Sequence, residues 1–551
     1  MIDSSRRCST AVAILLALVS VGAALGLAAD SAGRRVATVG CPDSLPPPSA
    51  LRDYVRDGKL RLTLEDAIRL TLLNNTDVRL ARTPVDQARY SVLAAYHPFD
   101  PTLTSMGIDQ RTTSPASNTL QGAQTLSQLF QQASVGYAQT FETGTNFQAA
   151  FTGSKSDTNS SFFFINPYLT ANLNLQVTQP LLRNRGLFPN VAPIRIAQRN
   201  LHASEANFEA QVSVAVQQAI GQYWNVVLAR ESLGVAQESL KEAQATYDHD
   251  KRALDLGALP PLDIYRSESQ VAQRRVSEIQ AEYFLKESED AFRQVIGADL
   301  DPYVRALDID LVQDPSPQEP LFTTDASTAL LEARQHRAEF RAIDEQLASD
   351  DINYHLARNA NLPDLELTGS YSSQGLGGNQ YDTTVSPPAL LTPGGFGGAL
   401  SQLFGWNFPT YSLSLNLNFP IRNRAAQAAL GQAAVAKRND LYLQRREQQS
   451  VELDVANSIH NLEQAKLSMA AAKIARDLAQ KTVDSEQRKY ELGAEQILFV
   501  LEAQTELAQA EVALVQAEVS YQMALAAVDH ATGSLLDRHH IEIEKALAQN
   551  P

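Results

Sequence analysis

ANLNLQVTQPLLRNRG occupies residues 171–186, and YSLSLNLNFPIRNRA occupies residues 411–425. Each alternates an aliphatic residue with a small uncharged polar one, then passes through a proline into Arg-Asn-Arg. Period-two alternation puts Leu173, Leu175 and Val177, like Leu413, Leu415 and Leu417, on one face of an extended strand. Asn172, Asn174, Gln176 and Thr178, like Ser412, Ser414, Asn416 and Asn418, take the other. PDLELTGSYS (363–372) follows the same rule, and TLTSMGID (102–109) follows it more weakly.

A soluble sheet with this pattern needs a core beneath its apolar face. No separate amphipathic helix is predicted to cover it, because the helices spend their apolar stripes on one another. The polar face is small and neutral, and aromatic residues flank the strands at Phe162, Phe163, Phe164 and Tyr168 and again at Phe404, Trp406, Phe408 and Tyr411. Apolar outside, polar inside, with aromatics at the borders, is the pattern of an outer-membrane barrel. TPGGFGG (392–398) lacks the lysine and the helix context of a phosphate loop and is predicted as a plain loop. SVGYAQTFETGTNFQAAF (134–151) reads as an extra hairpin without a counterpart in the second half, placed as an extracellular extension.

Charge is distributed in blocks around these strands. Between residues 112 and 182 only Glu142, Lys155 and Asp157 are charged, and between 369 and 421 only Asp382 is. Elsewhere the chain is rich in Glu, Gln, Arg, Lys and Ala, a helical composition. Self-comparison shows a duplication. A shift of 262 positions carries Val78 onto Phe340, Arg79 onto Arg341, and Pro101, Leu103 and Gly107 onto Pro363, Leu365 and Gly369. A shift of 240 pairs the two opening stretches, and one of 236 pairs Leu256-Gly257-Ala258 with Leu492-Gly493-Ala494 and Gly297 with Gly533.

Phe208, Val212, Ala215, Ala219, Gln222, Val226, Ala229, Leu233, Ala236, Leu240, Ala243 and Tyr247 are spaced alternately four and three apart. Such spacing predicts a coiled-coil stripe on one long helix over 187–255, on the order of 100 Å at about 1.5 Å per residue. Its partners are predicted to be about half as long, so that two stack end to end along it. The expected organisation is a helix over 63–97, a β region over 98–185, the long helix 187–255 and a return helix 259–297. After a linker over 301–324 the unit repeats as helix 325–360, β region 362–421, long helix 424–491 and return helix 495–532, with a C-terminal tail over 536–551.

The amino terminus sets the compartment. Arg6 and Arg7 precede an apolar run over 11–27 that ends in small residues, which reads as a Sec-type signal peptide over 1–28. A Pro-rich lead-in spans 29–62. The formal net charge of −16 offers no basic stripe for phosphates, so nucleic acid is excluded as a partner. Of the two cysteines Cys8 lies in the signal and Cys41 in the lead-in; a lipid-acylated Cys41 is the alternative to an ordinary thiol there. The nine histidines are scattered, and no metalloprotease motif, cysteine cluster or nucleophile elbow occurs, so no enzyme, cofactor or metal is expected.

LTLEDAIRLTLLNNTDVR (62–79) with its echo at 325–341, the passages QPLLRNRG (179–186) and FPIRNRA (419–425), and the tips ALDLGALPPLDIYRSES (253–269) and KYELGAEQILFVLEAQT (489–505) together resemble the TolC-like outer-membrane efflux family. The resemblance covers about 62–536. It implies a mainly α fold with a membrane β-barrel portion: a trimeric α-barrel of antiparallel coiled-coil helices, continuous with a twelve-stranded β-barrel to which each chain gives four strands. It further implies a homotrimeric exit duct in outer-membrane lipid, meeting a periplasmic adaptor (membrane fusion) protein and an inner-membrane pump or secretion ATPase.

Leu256, Gly257, Ala258, Leu492, Gly493 and Ala494 match the family's adaptor-docking tip turns. Asp263 and Glu502 match acidic positions near the pore closure, whereas Phe499 stands where an aspartate often occurs and Glu495 where a basic partner can. Glu502 with Phe499 is expected to form a constriction, the plainer reading being solvated helix positions. Arg183, Arg185, Arg422, Arg424 and Trp406 are expected membrane-interface anchors. A periplasmic coiled-coil scaffold or adaptor without a pore is the alternative; it would not need the neutral alternating strands.

Overall fold

The computed structural model describes residues 47–117, 121–256, 262, 264–317, 321–385, 388–492 and 494–543. The signal peptide, Cys41, Gly257, Ala258, Asp263 and Gly493 lie outside the described residues. In chain order the elements are β1 (Val55–Arg56), β2 (Lys59–Leu62), α1 (Leu64–Asn74), α2 (Thr76–Ala94), β3 (Thr102–Pro115), β4 (Thr125–Thr140), β5 (Asn146–Thr158) and β6 (Tyr168–Pro180). Next come α3 (Leu187–Asp255), α4 (Ile264–Ile296), α5 (Pro302–Arg305), β7 (Asp308–Leu311), α6 (Ala326–His336) and α7 (Ala338–Ala360). The rest are β8 (Asp364–Gly377), β9 (Gln380–Asp382), β10 (Ala389–Thr392), α8 (Phe396–Phe404), β11 (Pro409–Asn418), α9 (Arg424–Glu491), α10 (Ile497–Thr532) and α11 (Leu535–Arg538). The chain divides into two compact units, one containing 91–198 and 349–437 and the other 44–90, 199–348 and 438–551.

The first unit is built on one antiparallel sheet of order β11-β8-β6-β5-β4-β3. The chain therefore gives this sheet six strands, where the sequence pointed to four. The difference is the hairpin: β4 and β5 pair over Gln128–Thr158 to Thr140–Asn146, and they stand between β3 and β6 in continuous register. It is thus part of the sheet and not an extension beyond it. Its tight turn is closed by the Phe141 N–H bonding the Thr145 carbonyl at 2.8 Å. Gly144 has φ +82°, and a Cβ there would meet the Asn184 carbonyl oxygen and Asn190 Nδ2, each at 2.8 Å, so only glycine fits.

A second difference concerns 392–398. Only its first residues are irregular, because α8 begins at Phe396 and lays Ala399 and Leu403 on Ala171, with Phe151, Leu173, Phe396 and Leu400 around them. Paired glycines hid the helical spacing of Phe396, Ala399, Leu400 and Leu403, so the expectation that no helix covers the strands' apolar face fails here: α8 lies on that face at Ala171, Phe151 and Leu173. The helix approaches so closely that a Cβ on Gly375 would lie 1.8 Å from the Ala399 carbonyl oxygen, and one on Gly377 2.3 Å from that of Gly395. Ser373 Oγ, buried beneath, donates to the Leu403 carbonyl at 3.0 Å.

In the second unit the predicted helix over 63–97 is two helices. Thr63 and Asp66 form a capping box at the start of α1, and Asn75 leaves helical geometry at φ −61°, ψ 127°. Asn75 Oδ1 then caps α2 by accepting from the Asp77 and Val78 N–H groups at 2.8 and 3.2 Å. The helix over 325–360 breaks in the same way at Arg337, φ −67° and ψ 126°, which is 262 positions from Asn75. Each break receives a glycine: a Cβ on Gly297 would touch Asn74 Cβ at 2.7 Å, and one on Gly533 the His336 carbonyl carbon at 2.9 Å. Gly297 and Gly533 have φ +71° and +77°, so the duplication extends to backbone geometry.

The core of this unit gathers Phe208, Val212, Val216, Tyr223, Val226 and Val227 of α3 against Phe292 and Ile296 of α4 and against Leu60, Leu62 and Leu311. Tyr223 meets Trp224 and Phe292 edge to face at 5.5 and 6.1 Å between ring centres. The segment 301–324 is more than a linker, because β7 runs parallel to β2 with Leu62 opposite Leu311. Arg230 of α3 ties this strand down by donating to the Leu311 carbonyl at 2.8 Å. The stripe along α3 is buried at Phe208, Val212, Ala215, Ala219, Val226, Ala229 and Ala243.

Candidate functional site

The sheet's two faces differ chemically over the helical half of β4, β5, β6, β8 and β11, whereas on β3 and at the far end of β5 Asp109, Arg111, Lys155 and Asp157 stand on the face of Leu173, and Met106 and Ile108 stand on the reverse. Register places Leu173 opposite Phe151 and Ser373, Leu175 opposite Ala149 and Tyr371, and Val177 opposite Phe147 and Gly369. Tyr411, Leu413, Leu415 and Leu417 continue that face on β11, opposite Tyr371, Gly369, Leu367 and Leu365, and Val135 and Tyr137 continue it on β4. The reverse face carries Gln132, Ser134, Gln148, Thr152, Asn172, Asn174, Gln176, Ser370, Ser372 and Ser412. On that reverse face the only charged residues in these six strands are Asp364 and Glu366. Leu413, Leu415 and Leu417 are 76%, 64% and 61% exposed, so the apolar face lies open along β11.

Arg183, Asp364 and their neighbours join this sheet to its helices. Arg183 Nη2 meets Asp364 Oδ2 at 2.6 Å, and the Leu181 N–H donates to the Leu365 carbonyl at 2.7 Å. Asn184 takes φ +59°, its N–H donating to Asn359 Oδ1 at 2.9 Å. Arg185, Arg422 and Arg424 are exposed at the two strand-to-helix passages, and Asn423 Oδ1 caps α9 through the Ala426 N–H at 3.2 Å. Trp406 sits between α8 and β11 with its ring 5.2 Å from that of Tyr371.

In the second unit the residues that directly follow α3 and α9 are exposed. Leu256 and Leu492 are 84% and 83% exposed, and Ala494 is exposed beside the start of α10. Phe499 and Glu502 share an exposed face of α10, while Ile497, Val500 and Leu501 bury the opposite face together with Tyr490. Glu502 borders a groove of about 570 Å³ between α4 and α10, lined also by Tyr265, Arg266, Gln270 and Thr505.

Two polar ties cross between the helical hairpins beside this groove. Asp250 of α3 is fully buried, accepting from Ser267 Oγ of α4 and, at 2.8 Å, from the Tyr490 hydroxyl of α9. His249 lies against the same carboxylate at 3.4 Å and stacks edge-on to Tyr490 at 5.9 Å. Arg274 Nη2 of α4 donates to Thr505 Oγ1 of α10 at 2.6 Å. Burial lowers the Arg274 pKa, against the pull of Glu242. Burial also raises Glu242, helped by Glu238 and Glu511, and raises Glu511 itself. Among the described residues no group of three or more His, Cys, Asp and Glu side chains could hold a metal ion.

Asp250, Ser267, Tyr490, Arg274 and Thr505 were not singled out in the sequence, although one signal was present. Asp250 continues the four-three spacing three residues past Tyr247, so a carboxylate occupies a stripe position where a neighbouring helix must satisfy it.

Helices packed by a four-three stripe and a sheet with one lipid-compatible face define an outer-membrane channel protein of the α-barrel and β-barrel type. The chain belongs to the outer membrane efflux protein family, whose sequence model matches residues 67–298 and 329–534. It is 22% identical over 358 residues to outer membrane protein TolC of Vibrio cholerae, covering 64% of this chain and 75% of that one. It is 25% identical over 369 residues to outer membrane efflux protein BepC of Brucella suis, covering 66% and 73%. Its fold matches the Campylobacter jejuni CmeC outer membrane channel with a TM-score of 0.61 at 16% identity, over 92% of this chain and 93% of that one. The open state of the Neisseria gonorrhoeae MtrE outer membrane channel matches with a TM-score of 0.58 at 20% identity, over 86% and 89%. The protein is thus an outer-membrane efflux channel, and members of its family are channels rather than enzymes.

Proposed function

We propose that three copies of this chain form a passive exit duct for efflux or type I secretion. A periplasmic adaptor opens it at the tip turns, and an inner-membrane pump or secretion ATPase drives the cargo. The observation that supports closure by further copies is the pair of edges, β11 and β3, that no described strand pairs, on a sheet whose apolar face suits lipid along β11. Open edges leave N–H and C=O groups without partners in hydrocarbon, which costs several kcal/mol each. β11 and β3 run in opposite senses, so pairing β3 of one copy with β11 of the next keeps every neighbour antiparallel and closes the wall.

Tip turns at Leu256, Gly257 and Ala258 and at Leu492, Gly493 and Ala494 are the adaptor-docking elements in this reading. Glu502, Phe499 and Asp263 narrow the pore, and the Asp250–Tyr490 contact holds the hairpins together until the adaptor engages. Arg183, Arg185, Arg422, Arg424 and Trp406 serve at the membrane interfaces. Native mass spectrometry of the detergent-extracted protein with planar-bilayer recording tests the whole. A trimer with stepwise conductance is expected. A monomer that leaves the envelope in a high-salt wash and conducts nothing would replace the duct with a periplasmic scaffold.

A further inference from the structure

The β4–β5 hairpin has a consequence for the width of the exit. It could lie in the wall or fold over it, and three observations favour the wall. First, β3 pairs β4 from Thr102–Ala138 to Pro115–Thr125, β4 pairs β5 from Gln128–Thr158 to Thr140–Asn146, and β5 pairs β6 from Asn146–Thr178 to Ser156–Tyr168, without a register break. Second, over its helical half the hairpin follows the faces of its neighbours, with Val135, Tyr137, Phe147 and Phe151 on the apolar side and Gln132, Ser134, Gln148 and Thr152 on the polar side, and Lys155 and Asp157 join the apolar side only towards the far end. A one-residue slip would reverse every one of these. Third, its turn is short and packed at the helical end of the sheet on Pro180, Asn184 and Asn190, whereas the connections at the other end of the sheet are longer. Short turns at the periplasmic end and longer loops at the other are the habit of outer-membrane barrels.

We infer that the β4–β5 hairpin is a spanning element of the barrel, so that the trimer proposed above has eighteen strands and an outer exit about one and a half times as wide as twelve would give, diameter growing roughly linearly with strand number. The added lining is neutral: on the polar face of β4 and β5 stand Asn, Gln, Ser, Thr, Ala, Gly, Phe130 and Leu126. The hairpin therefore widens the exit without adding charge to it, leaving Asp364 and Glu366 at the helical end as the charged residues of the lining strands, and the wider exit admits bulky solutes such as polypeptides.

The inference rests on the trimer, and its test is separable from that of the trimer. Cysteine pairs at Ile108 and Gln132 and at Thr152 and Asn172, facing partners on the polar side, are placed in a Cys41→Ser background. Both pairs are expected to form disulfides on mild oxidation in outer membranes. A variant lacking residues 118–162 should admit only polyethylene glycols about one third smaller in radius when they are added from the outer side of a bilayer. If neither pair cross-links, or if the polymer cut-off is unchanged by the deletion, the hairpin lies outside the wall and the inference falls. Should the deletion variant fail to assemble, the cysteine pairs in the full chain decide alone. A native mass other than the trimer's would instead remove the trimer and leave the hairpin result standing.

Discussion

The Tyr490 hydroxyl reaches Asp250 Oδ1 at 2.8 Å, bonding the last turn of α9 to a carboxylate that is fully buried in α3. Hydrogen bonds to a charged group contribute about 1.5–3 kcal/mol, more than neutral ones. The contact joins first and second repeats and is not replaceable by solvent. Tyr490→Phe keeps the ring against His249 and removes only the donor. Single-channel recordings should then show open events several-fold more frequent than in the unaltered protein. Identical open probability in the two proteins would mean that the contact is packing and not a latch.

Gly297 and Gly533 make the duplication testable in the same way at two sites. Both have positive φ, and both face a helix break within 3 Å of where a Cβ would stand. An alanine pays about 1–2 kcal/mol for left-handed geometry alone, and the contact adds to it. Thermal unfolding in detergent should place Gly297→Ala and Gly533→Ala each at least about 2 kcal/mol below the unaltered protein. A neutral result at either position would show that the backbone there relaxes.

Asp529, buried at the end of α10, has its pKa raised to about 6 by burial, although Arg538 beside it pulls the other way. Its folded form therefore holds a proton that the unfolded chain releases near pH 4. Stability from this group is fully present below about pH 4, falls as pH rises through about 6, and is flat above that. The fall is on the order of 3 kcal/mol. Denaturant titrations at pH 4 to 7 should show the slope, and Asp529→Asn should flatten it. A slope of equal size in the variant would assign it to another group.

Much of this architecture was legible in one dimension, because it rests on periodicity. The four-three stripe lies within α3, and its burial at Phe208, Val212 and Ala219 depends on little but spacing. The faces of β6 and β11 were readable for the same reason. What stayed hidden depends on tertiary partners. α1 and α2 break at Asn75, and α6 and α7 at Arg337, because Gly297 and Gly533 pack there from about 200 residues away. Likewise the short β7 is a strand only because β2 is beside it. The hairpin's place in the sheet required knowing that β6, after pairing β5, still had an edge left for β8. Ties such as Arg274 to Thr505 have no periodicity, so no pattern announced them.

Adjacent positions on β11 discriminate lipid from lumen most sharply, since Leu415 and Asn416 differ by one residue and lie on opposite faces. Leu415 stands opposite Leu367, and Asn416 opposite Glu366, so each side is chemically continuous with its neighbour. β11 is also an edge, hence the first place at which an unclosed or soluble sheet would betray itself. Leu415→Cys and Asn416→Cys, each spin-labelled in a Cys41→Ser background, should separate in reconstituted vesicles. The first label is expected to respond to a lipid-soluble relaxant such as oxygen and the second to a water-soluble metal chelate. Equal access of the chelate to both labels would mean that hydrocarbon does not touch this face, and the membrane assignment of the sheet would fail with it.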